Sequence, residues 1–170
     1  VTAYTISDES DAWLSEKLEK KVRIVEMTAF SNRRMNAPDA EPDATLSFAD
    51  DFPYLLISEA SLHALNSRLE HPVEMNRFRP NFVVSGTAPF AEDAWKYIQI
   101  GNVAFHVAKP CERCVLTTVD QQTGIKGREP LKTLATFRKH ERSVLFGQNL
   151  IGLQTGSVRE GNQIIVSDYK

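Results

Sequence analysis

The chain has little cysteine. Cys111 and Cys114 are its only two in 170 residues, too few for the disulfide framework of a small secreted domain. It also lacks long hydrophobic runs. Nothing approaches the ~18 consecutive apolar residues of a membrane-spanning helix. There is no excess of one charge: 20 Lys+Arg against 22 Asp+Glu leave a net charge of -2. That balance argues against a dedicated nucleic-acid or acidic-membrane binder, although a local basic patch remains compatible with it. The N-terminal residues VTAYTISDESDAW carry no signal-peptide pattern and no initiator Met. The expectation is a processed or excised chain of cytoplasmic origin. GxGxxG, P-loop, HExxH and GxSxG motifs are all absent, which leaves the common nucleotide, zincin and hydrolase readings without a motif.

What is present is globular. Hydrophobic content of 42% and charged content of 25% are those of an ordinary soluble domain. A chain of this length buries roughly 70% of its unfolded surface, so its core needs no metal or disulfide staple. The length suits one domain, or one domain with a small appendage.

The two cysteines sit together in KPCERCVLTTVD, residues 109–120. A thiol pair at this spacing is a redox dithiol, half a zinc site, a soft-metal ligand, or a pair of packed bystanders. Lys109 and Arg113 flank it, and nearby positive charge favours thiolate, the form that attacks or binds metal. A zinc site would need two more ligands. No His-x3–5-His partner supplies them, and His63 and His71 are too isolated. His106 and His140 read as packed or surface residues.

In chain order, Thr2 to Ile6 reads as a short strand. Ser7 or Asp8 caps a helix running to about Lys20, with Trp13, Leu14 and Leu18 as its core face. Val22 to Met27 alternates like a strand. Residues 31–51, rich in Ala, Pro, Asp and Asn, read as a long loop, with Arg33 and Arg34 available to an anion. Tyr54 to Ile57 reads as a buried strand. Ser58 caps the helix SEASLHALNSRL, with Leu62, Leu65 and Leu69 as its buried stripe. In NRFRPNFVVSG, Pro80 favours extended geometry before it, which puts Arg77, Arg79 and Asn81 on one face. Two guanidinium forks and a carboxamide there suit an oxyanion. Trp95–Ile100 and Val103–Val107 form a hairpin around Gly101 and Asn102. Val115 to Val119 reads as a further strand ending in the DQQTG turn. Pro130 opens a helix to Lys139 with Leu131, Leu134 and Phe137 buried. Val144–Gln154 and Gln163–Val166 are the last strands. Eight or nine short strands and three helices predict a mixed, mainly β fold: a closed or nearly closed β-barrel with flanking helices.

Five segments in order resemble the MOSC domain: LLISEASL (55–62), NRFRPNFVVSG (76–86), KPCERCVLTTVD (109–120), EPLKTLATFR (129–138) and VLFGQNLI (144–151). The resemblance spans roughly residues 44–168. It points to the YcbX-like and mitochondrial amidoxime-reducing component family. It implies a MOSC-type barrel core at 44–170, with 1–43 a remnant of an N-terminal MOSC-associated region. It implies an enzyme that removes oxygen from N-hydroxylated bases and amidoximes, a detoxifying reductase using the molybdenum cofactor, Mo-molybdopterin.

By position, the resemblance makes Cys114 the protein ligand to molybdenum and Asp50 an acidic residue near the metal. Arg79 and Asn81 correspond to contacts with the pyranopterin-phosphate. Glu112 and Arg113 line the same turn, and Arg77 joins them on the oxyanion face. Cys111 is expected to pack or to lie behind the ligand. The implied partners are a small N-hydroxylated substrate and an electron donor, either a flavin reductase or a ferredoxin-like domain. Neither nucleic acid nor membrane is an expected partner. A 2Fe-2S cluster needs four cysteines, so it would belong to a domain outside this chain, and the isolated fragment is expected to be inactive. Two rival readings stay open. One is a sulfur-carrier or cofactor-handling domain. The other is a non-catalytic module whose Cys-x-x-Cys holds zinc or forms a disulfide.

Overall fold

The computed structural model describes residues 2–28, 30, 31, 33–35 and 46–170. The chain divides into two compact units, Val1–Asp51 and Phe52–Lys170. The expected boundary at 43/44 and most of the expected 31–51 loop lie outside the described residues.

In the first unit, strands β1 (Tyr4–Thr5) and β2 (Val25–Glu26) pair antiparallel around helix α1 (Asp8–Lys17). Ser7 caps α1: its Oγ accepts from the Ser10 N–H at 3.1 Å. Asp8, Glu9 and Asp11 then face the positive end of the helix dipole. The expected core face of α1 is not buried. Trp13 is 58% and Leu18 57% exposed. Helical spacing groups apolar residues on one side, but only a packing partner makes that side a core. Among the described residues nothing covers it. Arg33 is already engaged rather than free for an anion. Its guanidinium donates to the carbonyls of Ser47 (2.6 Å), Ala49 (2.5 Å) and Asp50 (2.8 Å).

The second unit is built on one sheet of seven strands: β3 (Tyr54–Ser58), β4 (Phe82–Val84), β5 (Trp95–Ile100), β6 (Val103–Glu112), β7 (Lys139–His140), β8 (Ser143–Gly152) and β9 (Ile164–Tyr169). Its order is β4-β3-β8-β6-β5-β9, with β7 on β8. Only β3 and β4 run parallel; the other pairs are antiparallel. The sheet curls into a half-barrel, so the expected mainly β architecture holds. Its path ends at β4 and β9, which do not pair with each other.

Because side chains alternate across a strand, the sheet builds two cores. Leu56, Val84, Trp95, Ile98, Val103, Phe105, Val107 and Leu150 fill the concave side. Leu55, Ile57 and Phe146 face the other side, where Leu65 of helix α2 (Glu59–Asn66) and Leu134 of helix α3 (Leu131–Phe137) cover them. Ser58 caps α2 as its sequence predicts, accepting from the Ser61 N–H at 3.0 Å. Leu62 and Leu69 pack against the same core. The hairpin turns at Gly101 with φ +60°, a conformation glycine adopts without strain.

Two segments depart from their sequence patterns. Val115–Thr118 is a 3-10 helix, not a strand. The Thr117 and Thr118 hydroxyls donate to the carbonyls of Cys114 (2.9 Å) and Val115 (2.8 Å). Such local bonds divert β-branched residues from a ladder. Met75–Phe78 is likewise a 3-10 helix, and Arg79 after it is left-handed at φ 56°, ψ 47°. The segment is therefore not extended, and Arg77, Arg79 and Asn81 do not form the expected common face. Burial of Phe78 against Phe146, with ring centroids 4.5 Å apart, overrides the local preference imposed by Pro80.

Candidate functional site

The site grows from the end of β6. The strand carries Cys111 to the edge of the helix-covered core, then breaks at Arg113, whose N–H donates to the Val144 carbonyl at 2.7 Å. Cys114 follows as the N-cap of the 3-10 helix Val115–Thr118. The two thiols therefore differ in kind. Cys111 is half-buried and packs on the core that holds Phe78 and Phe146. Cys114 is exposed.

The flanking cations do not make Cys111 a ready thiolate. Burial pushes its thiol above the ordinary value, and the Arg113 charge and hydrogen bond only partly oppose this. The nearby Cys114 sulfur raises it further, while Lys109 lowers it. Arg113 Nη1 donates to Cys111 Sγ at 2.9 Å, and Nη2 donates to the Phe78 carbonyl at 3.0 Å. The same guanidinium lies over the Phe78 ring, 5.4 Å from its centroid. Its Nε is buried and has no hydrogen-bond partner among the described residues. Glu112 points away and accepts from Ser143 Oγ at 2.5 Å.

The 3-10 helix Met75–Phe78 is tied to this turn from the other side. Arg77 Nη2 meets Asp120 Oδ2 at 2.7 Å, and Gln121 Nε2 donates to the Asn76 carbonyl at 2.7 Å. Asp120 is the residue that sequence reasoning passed over, having read DQQTG only as a turn. Its carboxylate accepts from the Thr123 N–H (2.9 Å), the Thr123 hydroxyl (2.8 Å) and the Gln122 N–H (3.1 Å). The Thr123 bonds, then Gln122 and Arg77, hold it below the usual carboxylate range. An Asp opening a turn and followed three residues later by Thr was the available signal.

These ties fix which predicted residues remain free to act. Arg77 is spent on Asp120. Asn81 Oδ1 accepts from the Leu55 N–H at 2.9 Å, and the Asn81 N–H donates to the Leu55 carbonyl at 2.8 Å. Its amide Nδ2 is left without a partner among the described residues. Arg79 is exposed, and its guanidinium has no partner among them either. Asp50 belongs to the first unit, where it is exposed and its carbonyl accepts from Arg33. Among the described residues no group of three or more His, Cys, Asp or Glu is placed to hold a metal ion. The second unit thus carries one exposed thiol, and, among the described residues, an unpartnered guanidinium at Arg79, an unpartnered carboxamide N–H2 at Asn81 and a buried unpartnered N–H at Arg113.

Residues 43–165 match the MOSC domain. The chain belongs to the MOSC domain family. It is 41% identical over 132 residues to the human mitochondrial amidoxime-reducing component 1, covering 72% of this chain and 39% of that one. To the mouse protein it is 38% identical over 171 residues, covering 92% and 50%. A molybdenum cofactor sulfurase from rice is 34% identical over 157 residues, covering 82% of this chain and 19% of that protein. The chain thus spans half or less of the length of these curated relatives. Among solved structures, YiiM from Geobacillus stearothermophilus matches with a TM-score of 0.50 at 17% identity, covering 69% of this chain and 55% of that one. It shares the MOSC fold. No helix among the described residues is long and apolar enough to cross a membrane.

Proposed function

We propose that this MOSC domain holds the molybdenum cofactor and serves in the reduction of N-hydroxylated compounds. The observation that carries the reading is the contrast between the thiols. Cys114 offers an exposed sulfur at the head of a short helix, while Cys111 is held back in the core under Arg113. A soft thiolate suits a metal that already has sulfur ligands. The unpartnered donors suit the cofactor's anionic tail: Arg79 and the Asn81 carboxamide bind phosphate and pterin oxygens, and Arg113 Nε supplies one more N–H. Arg77 acts indirectly, by fixing the 75–78 turn on Asp120 so that Arg79 is presented. Glu112 steadies the end of β6 through Ser143.

When bound, the cofactor supplies two-electron removal of oxygen from an N–OH group, leaving the amine or amidine. The electrons would come from a flavin reductase or a ferredoxin-like 2Fe-2S domain.

The test is Cys114→Ala beside Cys111→Ala in the full-length protein, with molybdenum measured by mass spectrometry and activity measured on an amidoxime. Cys114→Ala is expected to lose both metal and activity, and Cys111→Ala to keep most of each. Retention of both by Cys114→Ala ends the ligand assignment. The rice sulfurase similarity supports a second reading, in which the domain handles the cofactor's sulfur rather than reducing a substrate. A persulfide on Cys114 with no N-hydroxy reduction would favour it.

A further inference from the structure

Charge is unevenly spread around the turn that carries Cys114. The segment KGREPLKTLATFRKHER, residues 126–142, holds six of the chain's 20 Lys+Arg but two of its 22 Asp+Glu. Arg138 is spent on Asp93, Nη1 to Oδ2 at 2.7 Å. Lys126, Arg128, Lys132, Lys139 and Arg142 are all exposed, and none has an ion pair among the described residues. Of the nearby acids, Glu129 is turned to the Thr133 N–H at 2.9 Å and Glu112 to Ser143 Oγ. Glu141 shares the hairpin tip with Arg142.

Main-chain bonds bring this segment to the Cys114 turn from two directions. Val119 and Lys126 form an antiparallel bridge, and the Gly127 N–H donates to the Thr118 carbonyl at 2.8 Å. Helix α3, with Lys132 exposed, lies against the 3-10 helix Val115–Thr118. From the other direction, Lys139 and His140 of β7 pair with Val144 and Ser143, and the Arg113 N–H donates to that same Val144. The β7–β8 hairpin is therefore two strand spacings, ~10 Å, from the end of β6. Three exposed apolar side chains stand beside the same turn. Val115 and Leu116 follow Cys114 directly and are 51% and 54% exposed. Ile125, whose carbonyl accepts from the Asp120 N–H at 2.9 Å, is 69% exposed.

Unpaired cations around a small apolar patch suit a transient protein interface. The charges steer the encounter and fix its orientation, and a small contact area lets the partners separate again. Weak redox encounters are of this size class. A lone phosphate or a small anionic substrate needs donors that converge on one point. These five cations instead stand on a strand return, a helix and a hairpin, which matches the extent of a protein face. We propose that residues 126–142, with Val115, Leu116 and Ile125, dock a small acidic electron-carrier protein beside Cys114. The inference rests on the reductase reading of that site and adds the kind of partner and the face it uses. Reduction of one N–OH group to N–H, with release of water, takes two electrons and two protons. Two one-electron carriers are therefore oxidised per turnover, and the protons come from solvent.

The test uses an acidic 2Fe-2S ferredoxin as the carrier. Its binding to the full 170-residue chain is followed by NMR. Its support of amidoxime reduction by the full-length holoenzyme is compared with that of methyl viologen, a small chemical donor. Ferredoxin is expected to shift or broaden the Val115, Leu116 and Ile125 amides, and its binding to weaken at least tenfold between roughly 50 and 300 mM salt. Arg128→Glu and Arg142→Glu should each weaken binding severalfold, and together tenfold or more, with methyl viologen turnover unchanged. Arg159→Glu, the same reversal at an exposed arginine outside the segment, should weaken it far less. Ile125→Ser should weaken binding without altering its salt dependence. The proposal is overturned if ferredoxin does not bind, or if the two reversals act no more strongly than Arg159→Glu. It is overturned if a single-stranded oligonucleotide shifts the same amides as strongly at about 150 mM salt, since the segment would then be an unselective polyanion patch. It is also overturned if Ile125→Ser raises the KM for the amidoxime with methyl viologen while ferredoxin binding is unchanged, since the apolar side chains would then serve the substrate. Failure of the reductase reading shows differently: methyl viologen drives no amidoxime reduction in the unaltered protein, and the binding measurements still decide the docking.

Discussion

At the scale of single residues, the second unit separates two thiols by burial rather than by charge. Cys111 lies within reach of Arg113 and Lys109, yet desolvation wins and its thiol is harder to ionise than a free one. The sign follows. A raised pKa in the folded state leaves stability intact below the ordinary thiol value of 9.0. Stability is then lost as pH climbs from there through the folded value. Urea titrations between pH 8 and 11 should show this decline, and Cys111→Ala should flatten it. Asp120 works in the opposite sense. Its carboxyl is depressed, chiefly by Thr123, so its contribution is present above the ordinary carboxylate range and fades as pH falls through the folded value. Asp120→Asn should lower the melting temperature at pH 7 and weaken the acid dependence. It should also loosen the 75–78 turn, seen as faster amide exchange at Arg79, because Arg77 loses its partner.

At the scale of elements, the sequence was legible wherever local chemistry and tertiary packing agree. The Ser58 cap, the buried LLI run of β3 and the hairpin at Gly101 are such places, although Tyr54 at the start of that run is exposed. Ser58→Ala should cost about 1–2 kcal/mol, since it strips a buried N-cap. Legibility failed where a distant contact decides. Phe78 docks on Phe146 and coils a segment that Pro80 would extend; threonine hydroxyls fold VLTT back on Cys114. The α1 face failed differently, because spacing marks a stripe without saying what covers it. The site shared this division. Cys114 stood out from its motif, but which of Arg77, Arg79 and Asn81 stays unbonded depends on partners 26 or more residues away. Gly147 in β8 was also silent. At φ +82°, an added Cβ would meet Ile57 Cγ1 at 2.7 Å and the Leu56 carbonyl at 2.9 Å. Gly147→Ala should therefore destabilise by at least about 2 kcal/mol in urea, combining left-handed strain with a clash against β3.

At the scale of the whole molecule, one sheet serves two cores, so the second unit should melt as one body. Phe105→Ala on the concave side and Phe146→Ala on the helix-covered side remove fully packed rings. Each should cost about 3–5 kcal/mol. Both should shift a single transition rather than split it, as judged by coincident circular dichroism and tryptophan fluorescence at Trp95. A consequence lies in β3 itself. Apart from Ser58, its residues Tyr54–Ser58 are apolar on either side, so polarity cannot tell the strand which way up to lie. A slide of one step would exchange Leu56 for Leu55 or Ile57 at little hydrophobic cost. What opposes the slide is the pair of hydrogen bonds between Asn81 and the Leu55 backbone, which works as a detent. The side chain proposed to meet the cofactor thus also keeps β3 in step with its neighbours.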